Sequence, residues 1–199
     1  MIKIYGSNRS TGFRCYWFLE ELGLPYETVL VDFAKGENKS PEYLKLNPNG
    51  KVPTMMDGDF VLWESMAINY YLMEKEQAMQ FVGTTLQEHA EVNKWNFWAL
   101  TDVSAEFLPL ILQKYRKTPD NEVITASREQ GIPHYLAVLE AHLADKEYVA
   151  LGKFTLADIT VMSVVRLATF VDFDLSSYPN VMAWMSRLSE REAYKKASA

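Results

Sequence analysis

Residues 47–65 read NPNGKVPTMMDGDFVLWES, and the order of turn, strand and helix signals in that stretch decides the fold. A β-like run, Thr54 to Met56, begins directly after Pro53, a residue with no backbone N–H to give to a sheet. Proline in a sheet is confined to edges, bulges and strand starts, so Pro53 heads a strand. Asn47-Pro48-Asn49-Gly50 before it is a turn, and Asp57-Gly58 after it is a hairpin signal between two short apolar runs. The pattern SMAINYYLMEK (65–75) then reads as a helix with Ser65 as N-cap. Only about 5–6% of X–Pro bonds in folded proteins are cis. The turn before Pro53, the hairpin after it and the Glu64-Ser65 helix start nevertheless lead us to expect a cis Val52–Pro53 bond. Such a bond turns the Val52 N–H and C=O outward, where an extended peptide-like ligand can pair with them as an added strand does.

Upstream, IKIY (2–5) reads as a strand, FRCYWFLEEL (13–22) as a helix closed by Gly23 and Pro25, and YETVLV (26–31) as a second strand. Strand, helix, strand within so few residues implies a parallel pair with a crossover. A polar stretch follows, with one short helix at 42–46. Beyond residue 75 the alternation stops. Residues 76–85 read as a linker, and the remainder carries only helical periodicity: 86–117, with a kink expected at Pro109, then 121–145, 156–171 and 178–197. The reading is an α/β domain over residues 1–78 followed by an all-α domain over 86–199.

Composition bounds the partners. The 199 residues are 48% hydrophobic, enough for a proper core, and the net charge of −6 carries no basic cluster of the kind that grips nucleic acid or an anionic membrane. A single cysteine, Cys15, can form no internal disulfide, and no run approaches membrane-spanning length. A cytoplasmic protein is expected. His89, His134 and His142 are scattered over expected helices without ligand-like spacing, so no metal site is expected.

The chemistry of residues 52–65 points to one kind of ligand. A helix N-terminus at Ser65 offers spare N–H donors and a positive dipole end to a carboxylate, and Glu64 beside it suits an ammonium group. With the Val52 main chain, these accommodate a peptide bearing a free α-amino-acid end. Glutathione is such a molecule.

That order of elements resembles the cytosolic glutathione transferase superfamily, specifically its serine-type, bacterial-like members, over essentially the whole chain. NPNGKVPTM (47–55) looks like the family's glutathione-binding turn with its cis-proline, and ESMAI (64–68) like its γ-glutamyl-binding segment. SNRSTGFRCYWFLEELGLPYE (7–27) looks like its first helix and second strand, and FTLADITV (154–161) like the capping motif of its helical domain. The resemblance implies a thioredoxin-like N-terminal domain plus an all-α C-terminal domain, a homodimer, glutathione as co-substrate, and an apolar electrophilic small molecule as second substrate. It nominates Lys39, in the segment NKSP, and Lys51 for the glycyl carboxylate. Phe13, Trp98, Thr101, Phe107, Leu108 and Tyr115 are its candidate lining for the electrophile. Thr155 and Asp158 have a separate physical reading as a capping box with Phe154 and Ile159 as staple, a folding device.

Such an enzyme must lower the pKa of a bound thiol, ordinarily about 8.5. A hydroxyl at the start of the first helix can do so by donating a hydrogen bond to the thiolate. Ser10 is the expected donor, because in the serine-type members the activating serine often stands four residues before an arginine, here Arg14; Thr11 and Ser7 are the alternatives. Tyr5 lies within the strand. Cys15 lies among Tyr16, Trp17 and Phe18 on an amphipathic helix and reads as a packed thiol rather than a nucleophile. Other readings within the family are a glutathione-dependent isomerase, a dehalogenase, and a peroxidase or disulfide reductase. Outside enzymology, the same architecture serves as a non-catalytic binding module.

Overall fold

The computed structural model describes all 199 residues. Its elements in chain order are β1 (Ile2–Tyr5), α1 (Phe13–Leu22), β2 (Tyr26–Val29), α2 (Pro41–Leu46), β3 (Thr54–Asp57), β4 (Phe60–Trp63) and α3 (Ser65–Lys75). Then come α4 (Leu86–Phe97), α5 (Ser104–Arg116), α6 (Glu122–Ala126), α7 (Ile132–His142), α8 (Leu156–Val165), α9 (Leu167–Phe170), α10 (Pro179–Ser189) and α11 (Glu192–Ser198). The chain divides into two compact units, residues 1–79 together with 190–199, and residues 80–189. No helix is long and apolar enough to cross a membrane.

The first unit is built on a four-stranded sheet in the order β2-β1-β3-β4, with β1 parallel to β2 and antiparallel to β3, and β3 antiparallel to β4. The β1–β2 pair is parallel because α1 returns the chain to the starting end; the β3–β4 pair needs only the Gly58-Asp59 loop, where Gly58 supplies a φ of 60°. Seven successive residues of α1, Phe13 to Leu19, are buried, which makes that helix the centre of the unit's core. Burying side chains the size of Trp17, Phe18 and Leu19 contributes about 1.5–3 kcal/mol each.

The C-terminal ten residues depart from the expected boundary, which had assigned 86–199 to a single helical domain. They group with the first unit because α11 is cut to fit α1. The Tyr194 ring stands edge-on to Phe13 and Trp17 at centroid distances of 5.4 and 4.9 Å, and Arg191 grips Glu21 through two bonds of 2.6 and 2.7 Å.

The second unit is helical throughout. The expected helix over 86–117 is divided by a π-helical segment at Trp98–Val103, and Pro109 lies inside α5 without ending it. A second π-helical segment, Ser127–Gly131, joins α6 to α7 where one helix over 121–145 was expected. Every residue of α8 is buried, and its start is fixed by the capping box that the sequence announces: Thr155 accepts from the start of α8 while Asp158 reaches back to the Thr155 N–H at 2.9 Å.

Candidate functional site

The strand register gathers the candidate residues at one end of the sheet. Tyr5 lies opposite Thr54, and Thr54 opposite Trp63. The residues that leave the sheet there are therefore Gly6 at the end of β1, Pro53 ahead of β3 and Glu64 after β4. The turn that carries Ser10 follows Gly6, and α3 starts directly after Glu64.

The Val52–Pro53 bond is cis. The segment before it is pinned by side chains. The Lys51 carbonyl accepts from Tyr43 Oη at 2.7 Å and from Asn47 Nδ2 at 2.8 Å, and both groups also reach Thr54 Oγ1, at 3.0 and 3.1 Å. Asn47 Oδ1 holds the turn itself by accepting the Asn49 N–H at 3.0 Å. Asn38, buried, ties the Gly50 carbonyl at 2.8 Å. Gly50 has a φ of 60°, and a Cβ there would meet the Asn38 carbonyl oxygen at 2.7 Å and Lys39 Nζ at 2.8 Å, so only glycine fits. Lys39 thus lies over Gly50, one residue from Lys51. Val52, held between these ties and Pro53, leaves its N–H without an acceptor in the protein. Its carbonyl is not free as expected: Thr11 Oγ1 donates to it at 2.9 Å.

Ser10 sits against this bend. Its Oγ donates to the Ser7 carbonyl at 2.6 Å and accepts the Gly12 N–H at 3.1 Å, so it caps the turn that leads into α1. A Cβ on Gly6 would lie 3.3 Å from Val52 Cβ and 3.5 Å from Ser10 Oγ, and one on Gly12 would lie 3.0 Å from Ser10 Oγ and 3.5 Å from Pro53 Cβ. Two glycines therefore make room for the hydroxyl beside the Val52–Pro53 bond. Of the alternatives, Thr11 is exposed and spends its proton on Val52, while Ser7 offers its carbonyl to Ser10.

Glu64 and Ser65 divide the remaining work. Glu64 precedes α3 with φ 74° and ψ 113°, outside the regions that a side chain ordinarily allows, and it gives α3 no side-chain cap. Ser65, expected as the N-cap, is instead the first helical residue, and the N-cap position belongs to Glu64. Ser65 is buried, and its Oγ accepts from Arg14 Nη1 at 2.9 Å. Glu64, Lys39 and Lys51 are exposed, and no residue of the protein bonds their charged ends.

Cys15 is fully buried, its Sγ 3.4 Å from the Ser65 carbonyl, and burial pushes the thiol up to about 12 against the opposing pull of Arg14. It is a packed side chain, as its surroundings in the sequence suggest. Phe13 and Phe107, nominated as lining, are core residues at 1% and 0% exposure, whereas Leu108 and Tyr115 are 51% and 68% exposed. No three His, Cys, Asp or Glu side chains converge as a metal would require. The residue that sequence reasoning passed over is Arg14, used there only as a landmark. The available signal was a permanent cation inside the apolar run FRCYWFL.

Known proteins are similar to this chain over essentially its whole length. The family description "Glutathione S-transferase, N-terminal domain" matches residues 2–74, and "Glutathione S-transferase, C-terminal domain" matches residues 103–192. Glutathione S-transferase 1 of Zea mays is 36% identical over 100% of this chain and 96% of its own. The probable glutathione S-transferase GSTF2 of Oryza sativa is 35% identical with the same coverage, 100% and 96%. Among solved structures, glutathione transferase URE2P8 of Phanerochaete chrysosporium, crystallised with oxidized glutathione, superposes with a TM-score of 0.89 at 30% identity, covering 98% of this chain and 92% of that one.

Proposed function

This chain belongs to the glutathione S-transferase family and is a glutathione transferase, and we propose that its glutathione site is the cluster at the end of the sheet, with Ser10 as the group that activates the sulfur. The observation that carries the reading is the packing of Ser10 Oγ against the cis Val52–Pro53 bend, in the space left by Gly6 and Gly12. The tripeptide lies along Val52, whose N–H is open to it. Its γ-glutamyl end meets the start of α3, where the first N–H groups and Ser65 take the carboxylate and Glu64 takes the ammonium. Its glycyl carboxylate meets Lys39 and Lys51. The bound thiol gives up its proton to water as Ser10 turns its own hydrogen bond from the Ser7 carbonyl to the sulfur and holds it as thiolate. The thiolate then attacks an electrophilic carbon of an apolar small molecule, and the leaving group departs with the bonding pair. We read the protein as a cytoplasmic homodimer. The inaccessible, weakly acidic Cys15 speaks against thiol–disulfide exchange as its chemistry.

Retention on immobilised glutathione, followed by conjugation of glutathione to a chloronitrobenzene with release of chloride, tests the reading. Ser10→Ala is expected to raise the pKa of the bound thiol by about one unit while glutathione affinity changes little. Absence of retention overturns the site. An unshifted titration overturns the role of Ser10 and passes it to Thr11 or Ser7. Retention without turnover makes the protein a binding module.

A further inference from the structure

Arg14 is 5% exposed, a depth at which an arginine needs a specific partner. One of its partners is Ser65, whose Oγ lies 2.9 Å from Nη1. A guanidinium is permanently charged and has only donors, so in this pair the hydroxyl must be the acceptor. A hydroxyl has one proton, and with Arg14 occupying a lone pair that proton points elsewhere. No group in the protein accepts it, although Ser65 is only 7% exposed. Arg14 is itself fixed to α3 one turn further on, where Asn69 Nδ2 donates to the Arg14 carbonyl at 3.2 Å. Residues 65 and 69 lie on one face of α3, so α1 and α3 are clasped at two points and the guanidinium cannot drift from the hydroxyl.

We propose that Arg14 is a positioning residue: it fixes the Ser65 hydroxyl as a donor and thereby makes the site select a ligand with a free carboxylate at its γ-glutamyl end. This rests on the proposed glutathione site and adds to it a source of specificity. The start of α3 then presents only donors, the Ser65 O–H and the first main-chain N–H groups, backed by a buried positive charge. An anionic acceptor satisfies that set, whereas a ligand lacking the carboxylate leaves the hydroxyl proton and the N–H groups unpaired, and discrimination of that kind is large.

Calorimetric titration with two ligands tests it: glutathione, and γ-aminobutyryl-cysteinyl-glycine, which lacks only the γ-glutamyl α-carboxylate. The wild type is expected to prefer glutathione by about 30-fold or more, the range of hydrogen bonds to charged groups. Arg14→Gln is expected to weaken glutathione about tenfold and the analogue less than twofold, and Arg14→Lys, which keeps the charge, to recover part of the preference. Arg14→Gln/Ser65→Ala is expected to bind glutathione no more weakly than Ser65→Ala alone. Equal weakening of both ligands, or additive losses in the double variant, overturns the inference and leaves the glutathione site standing. A wild type that binds neither ligand overturns the site and the inference together. Should Arg14→Gln fail to fold, Arg14→Lys against Ser65→Ala carries the same comparison.

Discussion

Replacing Asp158 tests the largest concentration of buried polar contacts in the second unit. Its carboxylate is fully buried and accepts four bonds: the Val149 N–H at 2.9 Å, the Trp184 indole N–H at 3.0 Å, the Thr155 N–H at 2.9 Å and the Thr155 hydroxyl at 3.2 Å. In Asp158→Ala the hydroxyl can turn away, but the two main-chain N–H groups and the indole N–H cannot. Each buried donor left unsatisfied costs about 1–3 kcal/mol, so three give a loss of at least about 3 kcal/mol, a large share of a typical stability of about 5–15 kcal/mol. Asp158→Asn keeps one oxygen and turns its NH₂ toward the other donors, and about 2 kcal/mol of loss is expected.

The same residue gives a pH signature. Burial pushes the Asp158 carboxyl from the ordinary 3.8 up to about 6, outweighing the four donors. The native state then holds the proton more tightly than the unfolded chain, so the contribution is complete below about 4 and is lost as pH rises through about 6. Between pH 7 and pH 5 the wild type gains roughly 1 kcal/mol from this group, and Asp158→Asn gains none of it. Urea unfolding followed by tryptophan fluorescence at the two pH values measures both quantities. A gap between wild type and Asp158→Asn below about 0.5 kcal/mol, or one that does not widen at pH 5, refutes the reasoning.

Native Cys15 is expected to react with an aromatic disulfide reagent only on unfolding, and Cys15→Ala to keep glutathione conjugation; rapid labelling or lost turnover would return it to the candidate nucleophiles. Glu64→Gly is expected to leave thermal stability unchanged or slightly higher, because glycine tolerates a φ of 74°, while the KM for glutathione rises about threefold through loss of the exposed ammonium contact. A fall in stability with an unchanged KM contradicts the assigned role. Gly50→Ala is expected to lower stability by at least about 1 kcal/mol in the same urea assay, since its Cβ must displace Lys39 and the Asn38 carbonyl. A neutral result shows that the 47–51 turn yields more easily than its ties suggest.

The two-part architecture was legible because its signals are local. The spacing of FRCYWFLEEL, the Asp57-Gly58 turn and the Thr155–Asp158 box each fix an element within a dozen residues, and the structure has all three. What the sequence concealed depends on distant partners. The membership of α11 in the first unit follows from Tyr194 and Arg191 meeting a helix some 170 residues earlier. The division of the expected 86–117 helix gave no warning, because the change to i→i+5 bonding at 98–103 is confined to a short segment with no Gly or Pro to mark it. Residue types nominated Ser10, Pro53, Glu64 and Ser65 for the proposed site, but not their partners. Nothing in the order of residues says that Thr11 occupies the Val52 carbonyl or that Ser65 receives a guanidinium.

Those partners decide how much each residue can contribute. Lys39, Lys51 and Glu64 are exposed and uncommitted, so their bonds to a ligand replace only water, and each is expected to matter modestly. Ser10 is committed. Its proton is already given to the Ser7 carbonyl at 2.6 Å, and that bond must break before the sulfur can have it. A hydrogen bond to a charged group contributes about 1.5–3 kcal/mol and a neutral one about 0.5–1.5 kcal/mol, so the net gain from the exchange is roughly 1–1.5 kcal/mol, or about one pKa unit. A serine so engaged cannot alone bring a thiol from about 8.5 to well below neutrality. Any larger lowering has to come from charge that is already in place. One such source is the positive end of α1, which starts three residues after Ser10.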